Sequence, residues 1–205
     1  GKEDFSKKVS LSDYKAALHL AIDWMEEQNI SKSLIAIGHR IVHGGPKYST
    51  ALKITEEVLE NLRSLTFFAP DHLPSEIVQI EAFRLKFPHL PQFACFDTAF
   101  HHDLPRVAKL LPIPRHYENQ GVRRYGFHGL SYEFLMQELE RIEGKEAAQG
   151  KVILAHLGSG ASLSAVAFGK SIDTTMSFTP TAGVPMSTRS GDLDPGLFGY
   201  LASLQ

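Results

Sequence analysis

Cysteine is almost missing from the 205 residues: Cys95 stands alone, so no disulfide can form within the chain. It lies in an apolar run, Gln92 to Phe96, and such usage fits a reducing, cytoplasmic setting. An excess of positive charge is also missing. With 21 Lys and Arg against 23 Asp and Glu, the net charge of -2 offers nothing to hold nucleic acid or an anionic membrane surface. No apolar run approaches the ~20 residues of a membrane span. The opening Gly1-Lys-Glu-Asp is unlike a secretory leader. Internal repeats and low-complexity tracts are absent as well. What is present is 43% hydrophobic residues, enough to build the cores of one large or two small domains.

Periodicity supplies an alternation of helices and strands. Ser10-Leu-Ser-Asp13 reads as a capping box, followed by Leu11, Tyr14, Leu18, Ala21, Ile22 and Met25 at steps of three and four, so a helix is predicted to close near Asn29. Leu34 to Val42 reads as a strand feeding a loop at Gly44-Gly45. Thr55 opens a helix through Val58, Leu59 and Leu62, and Pro74-Ser-Glu76 opens another with proline at its first position. Gln92 to Phe96 reads as a buried strand, Ser131 as the start of a helix through Leu135, Leu139 and Ile142, and Lys151 to Leu157 as a further strand. Ser162 to Phe168 and Ser171 to Thr175 form a hairpin, joined at Gly169-Lys170 with type II′ geometry expected.

Pro105, Pro112 and Pro114 interrupt any helix between Phe100 and Tyr125. A boundary is placed there, giving lobes of residues 1–99 and 100–205. From Asp173 to Gly196 neither period persists, and Thr179-Pro180, Gly183, Val184-Pro185, Ser190-Gly191 and Asp194-Pro195-Gly196 punctuate the stretch. A loop that long, interleaving Met176, Phe178, Val184, Met186 and Leu193 with hydroxyls, reads as ordered and functional.

Polar residues at the predicted strand ends supply the candidate chemistry: Arg40, His43, Asp97, Arg124, His128, His156, Ser159 and Arg189. Ligand sites of open α/β sheets gather at such ends. Arginines converging with His and Asp, without a nucleophile triad, point to handling an anion, because guanidinium matches carboxylate and phosphate edges. Each residue also has a plainer reading. Arg189 could be a surface arginine in a turn, Gly158-Ser-Gly160 a simple tight turn, and Asp97 a helix cap. His39-x-x-x-His43 and His101-His102-Asp103 lack further ligands at zinc-type spacing, so no residue is assigned as a metal ligand.

Five motifs then carry a resemblance: GHRIVHGG (38–45), CFDTAFH (95–101), RRYGFHGLSYE (123–133), HLGSGASL (156–163) and MSTRSGDLDPG (186–196). In this order they resemble the acetate kinase family, including propionate and butyrate kinases. The resemblance implies an α/β, two-lobed fold of the actin, hexokinase and Hsp70 ATPase superfamily, and transfer of the γ-phosphoryl of ATP to acetate or another short-chain carboxylate. ATP/ADP and Mg²⁺ would be the cofactors and a homodimer the expected assembly. Carried over residue by residue, Arg40 and Arg189 resemble the pair that orients acetate and stabilises the transferring phosphoryl group, His128 the transition-state stabiliser, and Asp97 the aspartate acting near Mg²⁺. His72, Val42 and Pro185 would face the acetate, and His156, Leu157, Gly158, Ser159 and Gly160 the nucleotide phosphates.

The loop carries Ser159 where the family usually has Asn, a short hydroxyl in place of an amide. The family's opening phosphate turn, its adenosine pocket and its magnesium-binding glutamate have no counterpart in these residues. The expectation is therefore an internal segment of such a kinase, incomplete in fold, inactive alone, and with an open sheet edge near Leu34 to Val42. A propionate kinase, a non-catalytic relative serving as an interaction module, and another ATPase on the same fold are the competing readings.

Overall fold

The computed structural model describes residues 14–204 of the chain, and its elements follow from local chemistry. Helix α1 (Tyr14–Glu27) ends where Asn29 turns left-handed at φ 56°. The capping box at Ser10 to Asp13 lies outside the described residues. Strand β1 (Ile37–Ile41) is shorter than the predicted run, and the two-residue strand β2 (Leu52–Lys53) had no readable period. Thr55 caps α2 (Glu56–Ser64) by accepting the Val58 N–H, and α3 (Leu73–Lys86) carries Pro74 in its first turn. β3 (Gln92–Phe96) alternates rather than burying both faces: Gln92, Ala94 and Phe96 point inward. A one-turn helix, α4 (Arg106–Lys109), follows.

β1 and β3 run parallel, with Ile41 opposite Phe96, and β2 joins β3 antiparallel on the other side. The order β1-β3-β2 leaves β1 at an edge among the described residues. Their inward faces meet α2 and α3 in a core of Ile41, Val58, Leu59, Leu62, Leu73, Ile80 and Phe96, to which Tyr125, Phe127 and Met176 also contribute. A parallel pair sends both chain ends out on one side. Arg40 and Asp97 lie there, and the ladder continues through the Asp97 N–H to the Ile41 carbonyl at 2.9 Å.

Helix α5 (Gly129–Ala148) begins two residues before the predicted Ser131. The reason is contact with β3. The Gly129 N–H donates to the Asp97 carbonyl at 2.8 Å, and a Cβ there would sit 2.2 Å from that oxygen, so only glycine lets the helix start so close. α5 then packs on an antiparallel meander of β4 (Lys151–Leu157), β5 (Ala161–Ala167) and β6 (Lys170–Thr174), with Tyr132, Met136, Leu154 and Val166 between them. β6 takes up Asp173 and Thr174 from the start of the predicted loop.

The β5–β6 turn corrects the type II′ expectation. Ala167 pairs with Lys170, so the loop is Phe168-Gly169, and both residues have positive φ, 53° and 73°. That is the type I′ pattern, which matches the right-handed strand twist even with Phe at the first position. Past β6 the chain is irregular as far as α6 (Gly196–Ala202). It is tied back on itself by reciprocal bonds: the Gly183 N–H to the Asp192 carboxylate and the Asp192 N–H to the Gly183 carbonyl, both 2.8 Å.

Candidate active site

Asp97 leaves the end of β3 fully buried and meets Arg40 from the neighbouring strand. Arg40 Nε donates to both carboxylate oxygens at 3.1 and 3.0 Å, and Nη2 to one of them at 2.6 Å. This corrects the helix-cap alternative for Asp97, since Thr98 precedes the following turn and no side chain caps it. The ion pair raises the Arg40 pKa further, so its charge is permanent.

His128 sits between β3 and α5 with φ 60°, a left-handed conformation that is costly for a residue with a Cβ. Its Nδ1 pairs with the Ser162 hydroxyl at 2.9 Å, and that hydroxyl also meets the Tyr132 OH at 2.5 Å. The ring is thus fixed with Nε2 toward the cleft. Burial, helped by His156, Arg40 and Arg189, lowers its pKa to about 4, so the imidazole is neutral near pH 7. His156, stacked on it at 4.0 Å between ring centroids, pairs with the Ser131 hydroxyl at 3.0 Å.

Between β4 and β5 the loop Gly158-Ser159-Gly160 is closed by the Gly158 N–H donating to the Gly160 carbonyl at 3.0 Å. A Cβ on Gly160 would lie 2.6 Å from Arg189 Nη2 and 3.2 Å from His128 Nε2. Both groups therefore converge on one spot beside bare backbone. Arg189 is held by Nη1 donating to the Pro180 carbonyl at 2.6 Å, and Ser187 ties the long loop to the short one through the Ser159 carbonyl at 3.0 Å.

These groups border one cleft of about 360 Å³. It brings together Arg40, Val42, His72, Asp97, His128, His156, Gly158, Ser159, Gly160 and Arg189 of the residues expected from sequence. Leu157 and Pro185 do not line it: both are exposed. Pro180, five residues before Pro185 and buried, takes the wall. Phe127 and Glu76 were also missed. Glu76 reads from sequence as one more acidic residue in a helix's first turn, where the dipole welcomes it, and only the packing of α3 on β1 aims it inward. Of the other polar residues, Arg124 clamps the backbone carbonyls of Ala108, Thr174 and Met176, and His43 is enclosed by Phe68, Tyr125 and Phe127.

The model of the acetokinase family matches residues 1–205. The chain belongs to that family. It is 48% identical over 185 residues to an acetate kinase of Rhodopseudomonas palustris, covering 90% of this chain and 46% of that protein. It is 45% identical over 202 residues to acetate kinase 2 of Vibrio cholerae, covering 97% and 51%. Among solved structures, a propionate kinase from Francisella tularensis superposes with a TM-score of 0.89 at 38% identity, and the acetate kinase of Porphyromonas gingivalis with 0.84 at 33%. Each comparison covers 96% of this chain and 51% of the other. The expected fold class is thereby borne out, and the chain spans about half the length of the relatives it matches.

The site suits an acetokinase ligand set unevenly. Convergent guanidinium, imidazole and backbone fit the phosphoryl end of ATP. Mg²⁺ does not fit on these residues alone: both Asp97 oxygens face Arg40, and among the described residues no group of three or more His, Cys, Asp or Glu could hold a metal ion. No helix of the described residues is long and apolar enough to cross a membrane.

Proposed function

We propose that the cleft binds a short-chain carboxylate, acetate first, and supports its phosphorylation by ATP. The observation that carries this is that Arg40 and Arg189 line one cleft together with neutral His128. An oxygen of the acid attacks the γ-phosphorus, the bond to the ADP oxygen breaks, and acetyl phosphate and ADP result. Such a transfer needs fixed positive charge and positioning more than a strong base, and a single arginine on the phosphoryl group can be worth ~10³–10⁵ in rate.

Arg40, locked by Asp97, orients the carboxylate. Arg189 and His128 Nε2 meet the phosphoryl oxygens beside Gly160, and His156 with the 158–160 loop faces the nucleotide phosphates. Val42, Pro180 and His72 border the acyl end. Propionate is the second reading, favoured by the likeness to the Francisella propionate kinase. One methylene shifts such a preference by only ~1–3 kcal/mol.

Mg²⁺ would need donors besides those described. We extend the reading to lobes of residues 1–99 and 100–205, supported by a separate three-stranded sheet in each, and to a cytoplasmic homodimer on family resemblance. The 205 residues alone are proposed to bind the acid but to turn it over far more slowly than a full-length relative.

The test is ATP-dependent acyl phosphate formation with acetate, propionate and butyrate in parallel, trapped as hydroxamates. Turnover of acetate or propionate that Arg189→Ala removes supports the kinase. A folded chain that binds ATP, binds none of the three acids and turns over none of them supports a non-catalytic relative instead.

A further inference from the structure

Glu76 is the polar residue of the cleft that the proposed chemistry leaves unexplained. It projects from the first turn of α3, and the Val42 N–H donates to both its oxygens at 3.2 Å. The same cleft is faced by Arg40 from β1, Asp97 from the end of β3, His72 before α3, His128 before α5, His156 on β4 and Arg189 from the long loop. A second carboxylate beside a carboxylate-binding site is electrostatically adverse. Counting fixed charges along the walls, two guanidinium groups meet two carboxylates, so the cleft is neutral when Glu76 is ionised and carries one positive charge when Glu76 is protonated. His128 adds none near neutral pH.

We infer that Glu76 is a proton-linked positioning residue of the acid pocket: it holds the Val42 backbone in place, and it must carry a proton before an anionic substrate is held between Arg40 and Arg189. This rests on the acid-binding reading above. The environment favours the proton. Burial raises the Glu76 pKa to about 7 and Asp97 pushes the same way, while the Val42 N–H and Arg40 oppose it. A bound acid adds a third negative charge and strengthens the proton's hold. Either protonation state retains an oxygen to accept from Val42, so the turn after β1 keeps its geometry while the charge changes.

Carbon-13 NMR of glutamate-labelled chain, with Glu76 assigned by its loss in Glu76→Gln, reads the proton directly. The expected titration midpoint is near 7; a midpoint in the ordinary carboxylate range overturns the inference whatever the ligand does. Acetate titrations at pH 6 and pH 8 read the linkage. Binding by the wild-type chain is expected to weaken about tenfold across that interval, while Glu76→Gln, which keeps an acceptor for Val42 without the charge, stays at the tighter value. Equal pH dependence in both proteins overturns the inference. Glu76→Ala is expected to bind more weakly than Glu76→Gln at both pH values, through the lost support of Val42. Absence of acetate binding in every protein, with Glu76 still titrating near 7, overturns the acid site itself.

Discussion

Arg40 and Asp97 share an ion pair of unequal burial: the arginine side chain is 62% exposed and the aspartate side chain 2%. The two halves of the pair therefore fail differently. Arg40→Ala strands a buried carboxylate, whereas Asp97→Asn leaves behind a guanidinium that water can solvate. Arg40→Ala is expected to cost about 2 kcal/mol more than Asp97→Asn in urea unfolding. Equal costs would mean that water reaches Asp97 once the arginine is gone.

Gly160 and Gly191 are both crowded, by different things. A Cβ on Gly160 meets the far end of Arg189, which can swing away; a Cβ on Gly191, where φ is 73°, would lie 2.3 Å from the Gly183 carbonyl, which cannot. Gly160→Ala is expected to stay within about 1 kcal/mol of wild-type stability and to lose phosphate binding. Gly191→Ala is expected to lose both, with a stability cost of about 1–3 kcal/mol. Paired thermal melts and phosphate titrations check this, and a Gly160→Ala chain that binds phosphate normally contradicts the placement of Arg189.

His101 and His43 predict acid sensitivity. His101 Nε2 donates to the Phe127 carbonyl at 3.0 Å and Nδ1 accepts from the Ser171 hydroxyl at 2.8 Å, so the ring is held neutral. Burial lowers the pKa of each histidine to about 4. The unfolded imidazoles take up protons near 6.5 and the folded ones do not, so stability is full above about pH 6.5 and falls as pH drops toward 4. The slope is up to about 1.4 kcal/mol per pH unit for each group. Urea midpoints at pH 7, 6 and 5 should fall accordingly, and His101→Gln should reduce the slope. A slope unchanged in that variant contradicts the assignment.

Much of the fold was legible because it rests on local signals. Thr55 and Pro74 marked the starts of α2 and α3 to within a residue, and the run from Lys151 to Leu157 gave β4 at both ends. β2 escaped because two residues carry no period, and the start of α5 because Gly129 answers to the Asp97 carbonyl rather than to a cap. The β5–β6 turn shifted by one residue because Phe168 adopts a positive φ that its type does not advertise. In the site, motif residues at strand ends were legible. Pro180 was not: Pro185 stands nearer Arg189 in sequence, but the loop folds back and the Arg189 guanidinium reaches the earlier proline. Glu76 was hidden by a stronger local explanation, its place in a helix's first turn.

The most direct measurement is the affinity of the chain for acetyl phosphate, which carries both the acyl and the phosphoryl group, with Arg189→Ala alongside. Arg189 is the partner of choice because its described side-chain bond is to a backbone carbonyl, so its loss strands no charge. The expected result is saturable binding that Arg189→Ala weakens tenfold or more, the worth of one charge-assisted hydrogen bond. Binding of equal strength in both proteins would contradict a site built on the two arginines of the cleft.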